Sequence, residues 1–231
     1  MFSGVIKQLN EACRTGNLDT LLQANYYHGD IVQDLICGQE LADDECPLPT
    51  DFLHIACENG HLHVVRQLVD FGADVNQTSD EKGTPLCVAS MEGHADIAQF
   101  LISKGALVHD PALGNSSPIL LACKSGKVEV MEFLLSEEPL LLRTHGQVLL
   151  YEACRLGHAQ VVRLLIKKGV DVDPPQTLLD SQGSRVPGSP LQGACVGRQT
   201  AIVNYLIENG ADVTCDIVDK YWELIGEALM R

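Results

Sequence analysis

Residues 49–76 read PTDFLHIACENGHLHVVRQLVDFGADVN, and this stretch decides the fold. Phe52, Leu53, Ile55 and Ala56 fall at helical spacing and form the apolar stripe of a short helix. Gly60 stands where that helix must stop, because a residue free to take positive φ is wanted just past the last turn. Leu62, Val65, Leu68 and Val69 make the stripe of a second helix, which Gly72 ends. Asp74, Val75 and Asn76 then lead into an extended turn. The unit is helix, turn, helix, β-like turn.

The same unit recurs along the chain. The phrase alanine, then Cys or Ser, two further residues, glycine and a polar residue begins at Ala12, Ala56, Ala89, Ala122 and Ala153, and returns damaged at Ala194. The spacings are 44, 33, 33, 31 and 41 residues. A fixed period near 33 marks stacked supersecondary units rather than one core around a buried site. The spacing predicts units at 49–76, 82–109, 115–138, 148–173 and 188–214, the whole spanning 49–214. Thr84-Pro85, Ser117-Pro118 and Ser189-Pro190 are helix starts, with a capping hydroxyl followed by proline in the first turn. The departures are informative. Residues 1–48 hold a weaker first unit at 6–23 and an insertion with Tyr26-Tyr27, the apolar phrase Ile31, Val32, Leu35, Ile36, and the acidic Asp43-Asp44-Glu45. The insertion reads as a lengthened cap over the end of the stack or as a partner site. The Pro- and Gly-rich stretch 173–190 reads as a surface loop. The last unit carries Arg198 where glycine is expected and Gly197 one place early, so a locally different turn is expected there. Residues 215–231, with Val218, Tyr221, Trp222, Ile225, Ala228 and Leu229 in one stripe, read as a C-terminal capping helix. The abrupt stop at Arg231 suggests a module of a longer protein.

GTPLCVASMEGHADIAQFLISKGALV at 83–108 and HIACENGHLHVVRQLVDFGADVN at 54–76 resemble the ankyrin-repeat family. The resemblance implies an all-α ankyrin-repeat solenoid of about six helix-turn-helix units with β-like turns and atypical ends. It further implies an intracellular protein-interaction module, an adaptor or scaffold in signalling, that binds through a concave groove and turn tips and catalyses nothing. A second reading is a regulatory or self-association segment of a larger signalling enzyme, a kinase or GTPase. In such arrays the two residues before each turn glycine face the partner. Here these are Glu58 and Asn59, Met91 and Glu92, Lys124 and Ser125, Arg155 and Leu156, then Val196 and Gly197. The surface runs from acidic through basic to apolar, which suits a segment read in one direction. The tips are Gln77–Lys82, Asp110–Asn115 and the 173–188 loop. The Leu68 to Asn76 stretch also resembles the motif that asparaginyl hydroxylase modifies in ankyrin repeats, with Asn76 as target.

The charge balance, 31 acidic against 16 basic residues, argues against nucleic acid. Residues 1–81 carry 14 acids and 3 bases, a net of −11, and residues 82–231 carry 17 and 13, a net of −4. The first third therefore projects a negative field that suits a basic partner as well as solubility. Five of nine cysteines (Cys13, Cys57, Cys123, Cys154, Cys195) follow the repeat alanine, a packing position, and are spaced too far apart along a stack to bridge. They read as reduced thiols of the cytoplasm or nucleus. No apolar run approaches the roughly 20 residues of a membrane span.

Catalytic, cofactor and metal sites find no support in the pattern. His54, His61, His94 and His158 occupy repeat positions where a ring ties turns together. Cys37, Cys46, His54 and Cys57 lack the paired Cys-x2-Cys knuckle of structural zinc sites. No phosphate-cradling loop, nucleophile elbow or isolated carboxylate pair is present. No cofactor is expected.

Overall fold

The computed structural model describes residues 2–37, 51–79, 82–109, 117–173 and 188–213, with residues 221 and 226. These form twelve α-helices and no strand. In order they are α1 (Phe2–Thr15), α2 (Leu18–Ile36), α3 (Phe52–Glu58), α4 (Leu62–Asp70), α5 (Pro85–Glu92) and α6 (Ala95–Ser103). There follow α7 (Pro118–Lys124), α8 (Val128–Glu137), α9 (Leu140–Leu156), α10 (Ala159–Lys167), α11 (Pro190–Val196) and α12 (Thr200–Glu208). The chain divides into two units, residues 1–121 and 122–231. In the first, α1, α3 and α5 pack in one layer and α2, α4 and α6 in another. In the second, α9 packs on α11, while α8, α10 and α12 form the other layer.

Local chemistry sets the helix starts. Thr84 Oγ1 accepts from Cys87 N ahead of Pro85, and Ser189 Oγ accepts from Gln192 N ahead of Pro190. Each hydroxyl satisfies a donor that the first turn leaves free, and proline brings no such donor. Asn17 caps α2 in the same way through Thr20 N.

The recurring phrase is explained by the turn that closes each first helix. The amide two or three residues past the helix donates to the alanine carbonyl five residues back. The bonds are Asn17 N to Ala12 O (3.1 Å), His61 N to Ala56 O (3.1 Å) and His94 N to Ala89 O (2.9 Å). Lys127 N to Ala122 O (2.9 Å), His158 N to Ala153 O (3.0 Å) and Gln199 N to Ala194 O (2.9 Å) continue the set. This is a helix-closing bond that requires a left-handed residue just before the donor. Glycine fills that place at Gly60 with φ +75° and at Gly126 with φ +69°. The six alanines are all 0% exposed, so the position admits nothing larger.

The last turn corrects the sequence reading. It keeps the same closing bond, and Arg198 itself takes the left-handed conformation at φ +55°. Glycine is displaced to Gly197 by packing. A Cβ on Gly197 would run into the Arg155 carbonyl, and one on Gly193 would lie 2.8 Å from the Tyr151 carbonyl. Two glycines four residues apart thus let α11 lie against the backbone of α9.

Three further differences from the sequence pattern concern single stretches. The unit read from residue 148 has its first helix start at Leu140, so α9 runs 17 residues and replaces the extended turn seen elsewhere. Gly146 within it lies under Val170, and Gln147 Nε2 donates to Asp171 O at 3.1 Å. In α4 the buried stripe is Val64, Val65 and Leu68, with Val69 only half-buried, because the helix is rotated slightly from the expected face. Within the N-terminal insertion, Ile31 to Ile36 continue α2, with Val32, Leu35 and Ile36 buried and α2 packed on α4. The acidic Asp43-Asp44-Glu45, Cys46, Asp110–Asn115, residues 174–187 and most of the C-terminal stripe, Trp222 included, lie outside the described residues.

Candidate partner-binding surface

The histidine that follows three of the turn glycines joins one repeat to the one before it. His61 Nε2 meets Arg14 O at 3.0 Å, His94 Nε2 meets Glu58 O at 3.3 Å, and His158 Nε2 meets Lys124 O at 2.7 Å. Each ring lies directly on the preceding glycine. A Cβ on Gly16, Gly60 or Gly126 would come within 2.7, 2.5 or 2.7 Å of it. Gln199 lies on Gly157 in the same way. This fixes the ends of the first helices, whose last two residues are the expected contact positions.

In the first unit, Glu58 and Asn59 are exposed, and Met91 and Glu92 are half-buried. Glu58 Oε2 accepts from Lys82 Nζ at 2.7 Å, a surface pair worth about 0.5 kcal/mol. Asn59 Nδ2 donates back to Ile55 O at 2.8 Å and so closes its own helix. Around the tip at 77–83, Ser79 and Gly83 exchange both backbone bonds, at 2.8 and 3.0 Å. His54 is fully buried beneath and its Nε2 donates to Gly83 O at 2.9 Å. Ser79 Oγ donates to Asp51 Oδ2 at 3.0 Å, and Asp51 Oδ1 lies 3.7 Å from His54 Nδ1. Serine, histidine and aspartate meet here without the wiring of a nucleophile. The hydroxyl bonds the carboxylate, and the catalytic ring nitrogen is already held by a backbone carbonyl. Burial lowers the pKa of His54, opposed by its bond to Gly83 and by the Asp51 carboxylate.

In the second unit, Lys124 is exposed, and Ser125, Arg155 and Leu156 are half-buried. Arg155 is held on its own helix: Nη2 and Nε lie 2.6 and 3.2 Å from Glu152 Oε2. That bond raises the guanidinium pKa further, and Arg155 is a cation paired on its own helix. Val196, the matching position of the last repeat, is 49% exposed.

The eight candidate residues therefore divide. Glu92 and Lys124 have no ion-pair partner among the described residues, whereas Glu58 and Arg155 are paired within the chain. Sequence reasoning missed both partners. Glu152 was legible, since it stands one helical turn before Arg155. Lys82 was not, because a fold-dependent contact brings it 24 residues to Glu58.

Asn76 is engaged at both ends of its amide. Nδ2 donates to Gly105 O at 3.0 Å, and Oδ1 accepts from Leu107 N at 2.9 Å. On the second helices, Arg66 lies 5.0 Å and Lys104 5.5 Å from the Phe100 ring centroid, beside a depression of about 480 Å³ lined also by Asp70 and Asp96. Arg163 takes the corresponding place over Tyr205 at 5.5 Å, so this cation is stacked rather than merely solvated.

The described cysteines are free thiols. Burial pushes Cys13, Cys123 and Cys154 up to about 12 and Cys195 to about 11, and raises Cys57 as well. A thiol so held is protonated at neutral pH and neither attacks nor ligates. Among the described residues no group of His, Cys, Asp or Glu could hold a metal, and no helix is long and apolar enough to cross a membrane.

A family model of ankyrin repeats (3 copies) matches residues 21–112 and 106–176. The chain belongs to the ankyrin-repeat family. The crystal structure of the human ASB11 ankyrin repeat domain is similar, with a TM-score of 0.67 and 26% identity over 89% of this chain and 85% of that one. No curated protein matches the chain. Ankyrin repeats are non-catalytic modules of protein–protein interaction, and the all-helical repeat array described above is that fold.

Proposed function

We propose that this ankyrin array is an intracellular adaptor that recruits a protein partner through the ends of its first helices and its turn tips. One observation carries the reading. The repeat alanines are wholly buried and alike, while two residues further on the chain presents Met91, Lys124, Arg155 and Val196 in turn. A fixed frame with a changing surface suits recognition of different side chains within each unit. Glu92 and Lys124 are the charges best placed to contribute, since no ion pair among the described residues occupies them. The buried, protonated thiols suit the reducing cytoplasm.

The test is affinity capture from cytosol with the whole chain, its Glu92→Lys and Lys124→Glu variants, and quantified recovery of each captured protein. A partner read here loses at least about tenfold in affinity on either reversal. Recovery unchanged by both variants would sink the reading. Hydroxylation of Asn76 belongs to the same proposal, with the reaction confined to a locally opened turn because the amide is bonded at both ends. Peptide mass spectrometry without a gain of about one oxygen on Asn76, in cells with active hydroxylase, removes that part.

A further inference from the structure

The two most exposed large apolar side chains among the described residues stand side by side on α2. Tyr26 is 83% and Tyr27 72% exposed, their rings meeting edge to face at 5.2 Å. Leu22, one turn earlier, is 40% exposed. The opposite face of α2 is occupied: Leu21, Ala24, Val32, Leu35 and Ile36 are buried. Asp19 and Asp30, both exposed, stand one turn beyond each end of the apolar patch. The stripe thus reads acid, leucine, tyrosine pair, acid. A break in helical geometry at His28, with φ −139° and ψ 35°, falls between Tyr27 and Asp30.

Charge selects the occupant. From Thr15 to Val65 the sequence contains nine acidic residues and no lysine or arginine. The cations that bound this stretch are Arg14 on α1 and Arg66 on α4, both helices that pack on α2. A second copy of the same surface, a nucleic acid or an anionic membrane would meet like charge. A cationic side chain gains twice, from the face of a tyrosine ring and from the carboxylate one turn away. Exposed tyrosines also suit the anchors of protein interfaces, since they offer much contact area for little lost freedom.

We infer that the Leu22–Tyr26–Tyr27 face of α2, flanked by Asp19 and Asp30, docks a basic segment of a partner protein, with an arginine or lysine stacked on the tyrosine pair. The segment carries a cation for each carboxylate, with an apolar residue between them to meet Leu22. This surface lies apart from Glu92 and Lys124 and does not depend on the role proposed for them.

The experiment uses the whole chain with ¹⁵N-tyrosine, which gives five amide signals. It is titrated with a short peptide of arginine, alanine and leucine, and with the same peptide carrying glutamate for arginine. The arginine peptide is expected to move the Tyr26 and Tyr27 signals, with saturation and with weakening by salt. The Tyr26→Ala/Tyr27→Ala and Asp19→Asn/Asp30→Asn variants lose at least about tenfold in affinity with unchanged circular dichroism. Lys167→Glu, on the exposed side of α10, binds the peptide as the parent does. Shifts confined to other tyrosines, equal binding of the glutamate peptide, or full affinity in the Asp19→Asn/Asp30→Asn variant overturns the inference. So does a concentration-dependent spectrum without peptide that the double tyrosine variant abolishes, which would assign the face to self-association.

Discussion

The turn at Gly60 and the turn at Arg198 have the same shape for opposite reasons. Both place a left-handed residue before an amide that closes the first helix on its alanine. At Gly60 the next repeat's His94 ring lies where a Cβ would be, so sterics and φ demand glycine together. At Arg198 no described repeat follows, and a side chain is accepted at a cost of about 1 kcal/mol in backbone strain. The glycine is needed one place earlier, where α11 meets the Arg155 carbonyl. Glycine in a repeat therefore marks where backbone is approached, not merely where it bends.

The strongest challenge to this contrast is Gly197→Ala. Its Cβ meets backbone, which cannot rotate away, so a loss of about 3 kcal/mol is expected in chemical denaturation. A loss below half of that would mean that α11 can retreat from α9 at little cost. Gly60→Ala comes next, at about 2 kcal/mol, from left-handed strain together with displacement of a ring that can turn aside. Equal effects at both sites would erase the distinction between backbone and side-chain obstacles.

A smaller effect separates the linking rings from His54. His61, His94 and His158 each present Nε2–H to the facing carbonyl at a turn surface. His54 is buried neutral, with its pKa below the ordinary 6.5, so on acidification the unfolded chain takes up the proton first. Stability is then full above about pH 6.5 and declines below it, until folded His54 protonates too, by at most about 1.4 kcal/mol per pH unit. His54→Gln should flatten the dependence of the unfolding midpoint on pH in that window. A slope that persists undiminished would assign the acid sensitivity elsewhere. The least effect is expected from Arg198→Gly, a gain below about 1 kcal/mol, because relieved strain is offset by a looser unfolded chain. A loss in that variant would show that the arginine side chain stabilises its own turn.

Much of the fold was legible because the repeat chemistry is local. Alanine, turn glycine and linking histidine sit within six residues, and their spacing alone implied helix, turn and tie. Gly197 and Arg198 were visible as an irregularity but not interpretable, since the cause is a carbonyl some forty residues away. The start of α9 was hidden for another reason: Leu140 to Gly146 carry no phrase of the repeat, and Pro139 precedes them as readily in a turn as in a helix. At the contact surface, residue types were legible and their availability was not. Arg155 reads as a free cation until Glu152 is seen to hold it, and Glu58 as a free acid until Lys82 folds onto it.

The histidine links all point backwards along the chain, each ring reaching to a turn that precedes it in sequence. A ribosome delivers residues in that order. Each of these carbonyls is therefore in place before the ring that reaches it, and stays open to water until the next repeat arrives.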